Sequence, residues 1–183
     1  MSITADTVLP TGTWSVDPAH SGVEFSVKHL GIATVRGVFK EFEGTVDFRE
    51  DGTADAHGSV SAASLDSGVE ARDAHLRSEE FFHVEAHPTL AFESTEIHAL
   101  DVDAFRIHGK LTMRGVTRPV LLHAQLLGTE TDQFGNERVA LEVTGQLNRR
   151  DWGMSFNEVL ESGRLLISDK VRLSIDISAI KQS

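Results

Sequence analysis

The chain has 183 residues, 40% of them hydrophobic, which suits the core of one domain. A formal net charge of -11 repels nucleic-acid phosphates and disfavours an anionic membrane surface. The absence of cysteine excludes disulfides and thiol chemistry. Residues 1–11 read as a flexible leader, and residues 12–181 read as a single domain. The leader has no basic stretch and no apolar core of signal-peptide length, so the expected location is the cytoplasm. No apolar run approaches the ~20 residues that a membrane-crossing helix needs.

Trp14 to Asp17 forms a short strand that Pro18 interrupts. From Val23 the chain alternates, with Val23, Phe25 and Val27 apolar and Glu24, Ser26 and Lys28 polar. A period of two gives a strand with one buried face. Phe42, Val46 and Phe48 repeat the pattern in residues 34–49. Between these runs, Val38 and Phe39 stand side by side, and one face of a strand cannot bury both. A bulge or bend near Lys40 follows. Glu50-Asp51-Gly52 is a turn. Residues 57–64 alternate weakly through Val60 and Ala62.

Residues 67–82 contain a short helical segment. Asp66 or Ser67 caps it, it runs to about Arg77, and Phe81-Phe82 follows in a second turn. It is too polar for a core helix and is expected across the end of a barrel. After Pro88, strands return at 89–98, 103–113, 118–128 and 138–148, with a last strand carrying Val171, Leu173, Ile175 and Ile177. About eight strands joined mostly by short turns predict an all-β sandwich or barrel, and closure would remove exposed edges.

An eight-stranded barrel is either filled by its side chains or wide enough for one small ligand. Large inward residues (Phe25, Phe42, Phe48, Phe92, Phe105) mix here with small ones (Gly44, Ala62, Gly109, Ala124, Gly145). The small ones are expected to leave room beside an apolar lining. Each buried Phe contributes ~1.5–3 kcal/mol whether it meets protein or ligand, so burial alone does not separate the two cases. His29 continues the inward parity, as a satisfied core histidine or as a polar contact for a ligand. His83 and His87 have helical ligand spacing, but Pro88 favours an extended chain at His87. No further ligand completes a known zinc spacing, so no metal is expected. Arg149-Arg150-Asp151 reads as an ion pair at a strand end rather than an acid or base. No nucleophile elbow, phosphate loop or dinucleotide fingerprint occurs, so no catalytic residue and no cofactor are assigned.

Several blocks resemble the YceI-like family of polyisoprenoid-binding proteins. They are W-S-V-D-P-A-H-S-G-V-E-F-S-V-K-H-L, R-D-A-H-L-R-S-E-E-F-F-H-V, G-K-L-T-M-R-G-V-T-R-P-V, F-G-N-E-R and L-N-R-R-D-W-G-M-S-F-N. The resemblance runs from about Thr13 to Ile180. It implies an extended, eight-stranded, antiparallel lipocalin-like barrel. It also implies a long amphiphilic ligand with a polyprenyl or quinone-type tail, carried, stored or sequestered in the pore without catalysis, and a homodimer. The chain departs from the family in carrying His87 before the proline, where an aromatic is common, and that change is expected near the pore mouth. On this reading Val23, Phe25, Val27, Phe42, Val46 and Phe48 line the pore. Phe92, Leu111, Met113, Leu122 and Leu141 continue the lining, and Trp152, Met154 and Phe156 complete it from the loop. His29, Arg77 and Arg150 are candidates for the polar head. The alternatives are a lipocalin-like enzyme acting on a hydrophobic substrate, or a stress-response barrel without a dedicated ligand.

Overall fold

The computed structural model describes residues 10–183. The expected leader lies, for residues 1–9, outside the described residues. Pro10 is tied down, because its carbonyl accepts the Trp14 indole N–H at 2.9 Å. The chain forms β1 (Gly12–Val16), β2 (Gly22–His29), β3 (Ala33–Phe39), β4 (Phe42–Phe48), β5 (Ala54–Ser61) and β6 (Leu65–Asp66). One helix, α1 (Glu70–Arg77), follows, and then β7 (Thr89–Ala99), β8 (Ala104–Met113), β9 (Val116–Thr131), β10 (Glu137–Asn148) and β11 (Lys170–Lys181).

These segments are eight antiparallel strands in a closed barrel, because three long strands are each broken once. β1 and β2 pair in succession with β11. β4 and β3 pair with β1 and β2, and β5 and β6 pair with β4 and β3. The first break is at Pro18, where a short 3-10 turn forms and the Asp17 carboxylate accepts the Ala19 N–H at 3.0 Å. The second is the bend expected near Lys40: Phe39 points inward at 6% exposure while Val38 points outward. The third, at Ala62–Ser64, lies beside the second. Ser64 supplies its carbonyl to the Lys40 N–H and its hydroxyl to the Glu41 N–H, at 3.2 and 3.0 Å. The backbone groups that the bend removes from the ladder are thereby satisfied.

The barrel end carrying β1 is packed solid by Trp14, Phe48, Phe105, Val139 and Ala179. Two smaller clusters, Met113–Leu147–Trp152 and Phe25–Phe39–Leu65, lie toward the opposite end. The helix is shorter than expected and is capped differently. Val69 is its N-cap and offers no side-chain bond. Ser67 works in the reverse sense: its N–H and hydroxyl donate to buried Asp73 inside the helix.

Arg138 on β10 donates to Asp17 at 2.9 Å and to Asp132 at 2.8 Å, clamping the first strand break to the β9–β10 turn. Hydrogen bonds from Arg138 first, then from His20, lower the Asp17 pKa to about 2. Arg138 likewise holds Asp132 well below the usual carboxylate range. A depressed folded pKa stabilises fully above the unfolded value of about 4 and is lost as pH falls through the folded one. Wild type is therefore expected to lose stability between about pH 4 and 2. Arg138→Ala is expected to be less stable at neutral pH and to have a flatter profile in that window. Urea unfolding across the range measures both.

Candidate functional site

The barrel encloses a cavity of about 760 Å³, within the ~300–1,000 Å³ typical of small-molecule sites. Inward apolar side chains are only partly buried along it: Val23 and Val27 on β2, Val35 on β3, Val60 on β5, and Leu173 and Ile175 on β11. In a filled barrel these residues would be fully buried. A solid core, which composition alone leaves open, is therefore not the arrangement here.

The room is not where the small residues suggested. A Cβ on Gly109 would come within 2.4 Å of the Phe92 ring, and one on Gly145 within 2.5 Å of Leu122. One on Gly44 would meet the His57 carbonyl at 3.2 Å. Gly109 and Gly145 are sockets for large neighbours on the adjacent strand, and Gly44 lies against backbone, so the space they leave is already used. Ala62 is fully buried in the 3-10 turn, and Ala124 reaches the cavity's deep end from inside the packed cluster. The open stretch is walled by Val, Ile and Leu side chains instead.

Val23, Phe25, Val27, His29, Phe42, Val46 and Phe48 all reach the cavity, as do Phe92, Leu111, Met113, Leu122 and Leu141. Met154 and Phe156 join them from the loop. Three expected residues do not. Arg77 points to the β5–β6 break, where it donates to the carbonyls of Ala63 and Leu65 at 3.1 and 2.8 Å. Arg150 is half exposed and pairs with Asp169 at 3.0 Å. Trp152 is buried at 2% exposure, donates its indole N–H to the Leu111 carbonyl at 3.0 Å and packs beside the cavity. The expected pairing within Arg149-Arg150-Asp151 is also corrected, since both arginines turn to Asp169.

Two elements cover the mouth, α1 and the segment 153–169. Arg149, at 3% exposure, fixes both ends of the segment by donating to the carbonyls of Met154 at 2.7 Å and Ser168 at 3.0 Å. Burial lowers its pKa, against the opposing pull of Asp169. The segment also bonds to the β2–β3 hairpin: the Leu30 N–H donates to the Leu166 carbonyl at 2.9 Å, and the Ser168 N–H donates to the Lys28 carbonyl at 3.0 Å. His29 lines the cavity beside this junction.

From α1, Ala71, Arg72, His75 and Leu76 face the cavity. The His75 ring stands edge-on to Phe81 at 4.9 Å and to Phe156 at 4.8 Å, so helix and segment meet there. Its Nε2 bonds Glu80. Arg72 is half-buried, and both its Nε and Nη2 donate to Ser67 at 2.7 Å. Arg72 and His75 are site residues that the sequence expectations above do not include. Their signal was the i, i+3 spacing that sets them on one helix face with Leu76. His87 does not line the mouth. It covers the β8–β9 turn, where a Cβ on Gly115 would meet its ring at 2.9 Å. Among the described residues no group of three or more His, Asp or Glu side chains is placed to hold a metal.

A family profile described as the YceI-like domain matches residues 14–179. A UPF0312 protein of Pectobacterium atrosepticum is 38% identical over 165 residues, spanning 89% of this chain and 82% of the relative. One from Pseudomonas paraeruginosa is 36% identical over 165 residues, spanning 89% and 83%. Among solved structures, a Campylobacter jejuni YceI protein superposes with a TM-score of 0.71 at 26% identity, covering 85% of this chain and 90% of that one. Burkholderia cenocepacia BcnA gives a TM-score of 0.77 at 19% identity, covering 89% and 98%. A polyisoprenoid binding domain from Saccharophagus degradans gives 0.66 at 15% identity, covering 92% and 98%.

Proposed function

Because the chain belongs to the family of YceI-like domains, we propose that it binds a long amphiphilic isoprenoid-like lipid in its barrel, for carriage, storage or sequestration. The observation that carries this reading is the apolar cavity of about 760 Å³, walled by the partly buried side chains of Val27, Val35 and Leu173. A tail placed there removes apolar surface from water on both partners, at ~25 cal/mol per Å². The Saccharophagus degradans neighbour, a polyisoprenoid binding domain of the same fold, supports the tail chemistry. The tail is of polyprenyl or quinone type. The role is binding rather than catalysis, and we extend it to a cytoplasmic homodimer.

Native mass spectrometry of protein purified without detergent tests the reading. The expected spectrum carries an added lipid mass that collisional activation releases. Protein that is lipid-free and takes up no added isoprenoid would overturn it. Light scattering on the eluting protein measures the dimer.

A further inference from the structure

At the cavity mouth, Arg72 is a cation held in place without an acid of its own. Ser67 fixes its Nε and Nη2, while its Nη1 bonds no group among the described residues. The nearest compensation is indirect: Ser67 accepts from Arg72 and donates to Asp73. Elsewhere at this end the pattern differs, since Arg149 and Arg150 both face Asp169. Among the described residues Arg77 and Lys28 also lack a paired acid, but Arg77 spends its donors on carbonyls and does not reach the cavity, and Lys28 is exposed and donates to the Thr34 hydroxyl at 2.7 Å. On a chain of net charge -11, a half-buried arginine that lines the cavity without a paired acid stands against the overall repulsive field. Next to Arg72 on the same helix face stands His75. A planar guanidinium immobilised on two sides loses little entropy when its free edge binds an oxyanion, and such charge-assisted bonds are the strong ones.

We propose that Arg72 receives an oxyanion head, a phosphate monoester or a carboxylate, on the lipid whose tail lies in the cavity. This rests on the lipid-binding reading above. The head sits at the α1 side of the mouth, against Arg72 and the His75 edge. The tail runs inward past Leu76 and Phe82 toward Val27 and Val35. Glu158, which also lines the mouth, disfavours a diphosphate head and, of the two heads, favours the singly charged carboxylate over the phosphate monoester.

The test compares three probes with one tail: geranylgeranyl phosphate, geranylgeranoic acid and geranylgeraniol, titrated against the full chain by tryptophan fluorescence. At least one acid is expected to bind wild type about tenfold more tightly than the alcohol, and the favoured acid identifies the head. Arg72→Gln should bring that ratio close to one, whereas Arg72→Lys, which keeps the charge but not the fork, should retain part of it. Equal affinity of wild type for acids and alcohol would overturn the inference while leaving the carrier reading intact. So would a ratio unchanged in a folded Arg72→Gln. Failure of all three probes to bind wild type would overturn both. The wild-type comparison decides even if the variants do not fold.

Discussion

Replacing Val27 with tryptophan is expected to weaken lipid binding about tenfold or more while leaving the protein folded and nearly as stable as wild type. Val27 and Val35 face each other in register on β2 and β3 and both line the cavity. Neither belongs to a packed cluster. An indole at Val27 therefore enters ligand space rather than protein. Losing on the order of 60 Å² of tail contact is worth about 1.4 kcal/mol, a factor of ten in affinity. Ala124→Trp is the contrasting variant. Ala124 is 7% exposed and packs with Phe105, Leu122 and Val143, so the same ring should overpack the barrel at a cost of about 1–3 kcal/mol. Melting temperature and lipid content are measured for both. If Val27→Trp destabilises the protein as much as Ala124→Trp does, Val27 is packed and the cavity reading fails. If its lipid content matches wild type, the tail does not pass between β2 and β3.

The strands were legible because alternation is local. Val23, Phe25 and Val27 show their shared face without reference to any other strand, and Val38-Phe39 marks the bend by a local conflict. Which inward positions border open space is a different kind of fact. It depends on register: Phe92 fills the position of Gly109, and Leu122 that of Gly145, only because β7–β8 and β9–β10 pair as they do. Nothing within either strand carries that information. The arginines illustrate the same limit. Arg77 and Arg72 lie on one short helix, yet Arg77 reaches backbone carbonyls while Arg72 reaches the cavity mouth. Helical spacing separates the two faces, but which face meets the barrel depends on how β6 docks the helix onto β3. Trp152 looked like pore lining from its place in the L-N-R-R-D-W-G-M-S-F-N block. Its indole N–H needed a partner when buried, and the Leu111 carbonyl in the barrel wall supplied one.

Gly37→Ala is expected to destabilise the barrel by about 1–3 kcal/mol, and shortening Phe25 should recover part of that loss. Gly37 pairs in register with Phe25, and a Cβ at Gly37 would stand 2.4 Å from the Phe25 ring tip. The ring has little freedom to retreat. It is tilted against Phe39 at 5.4 Å and meets Phe82 edge-on at 6.1 Å, while Phe39 and Phe82 contact each other at 5.6 Å. Moving it disturbs all three rings or pushes one into the cavity that Phe25, Phe39 and Phe82 also line. Phe25→Leu alone loses aromatic contacts of about 0.5–1.5 kcal/mol beyond its area. With leucine at position 25 the added methyl of Gly37→Ala no longer meets a ring. The double variant should therefore be more stable than the two single losses predict, by at least about 0.5 kcal/mol. Urea unfolding of the four proteins gives the coupling. Strict additivity would show that Gly37 serves the strand's backbone rather than the ring. Lipid content supplies the second readout. If the displaced ring swings inward, Gly37→Ala should also bind less lipid than wild type, and Phe25→Leu/Gly37→Ala should regain it, because the shorter side chain returns that volume to the tail.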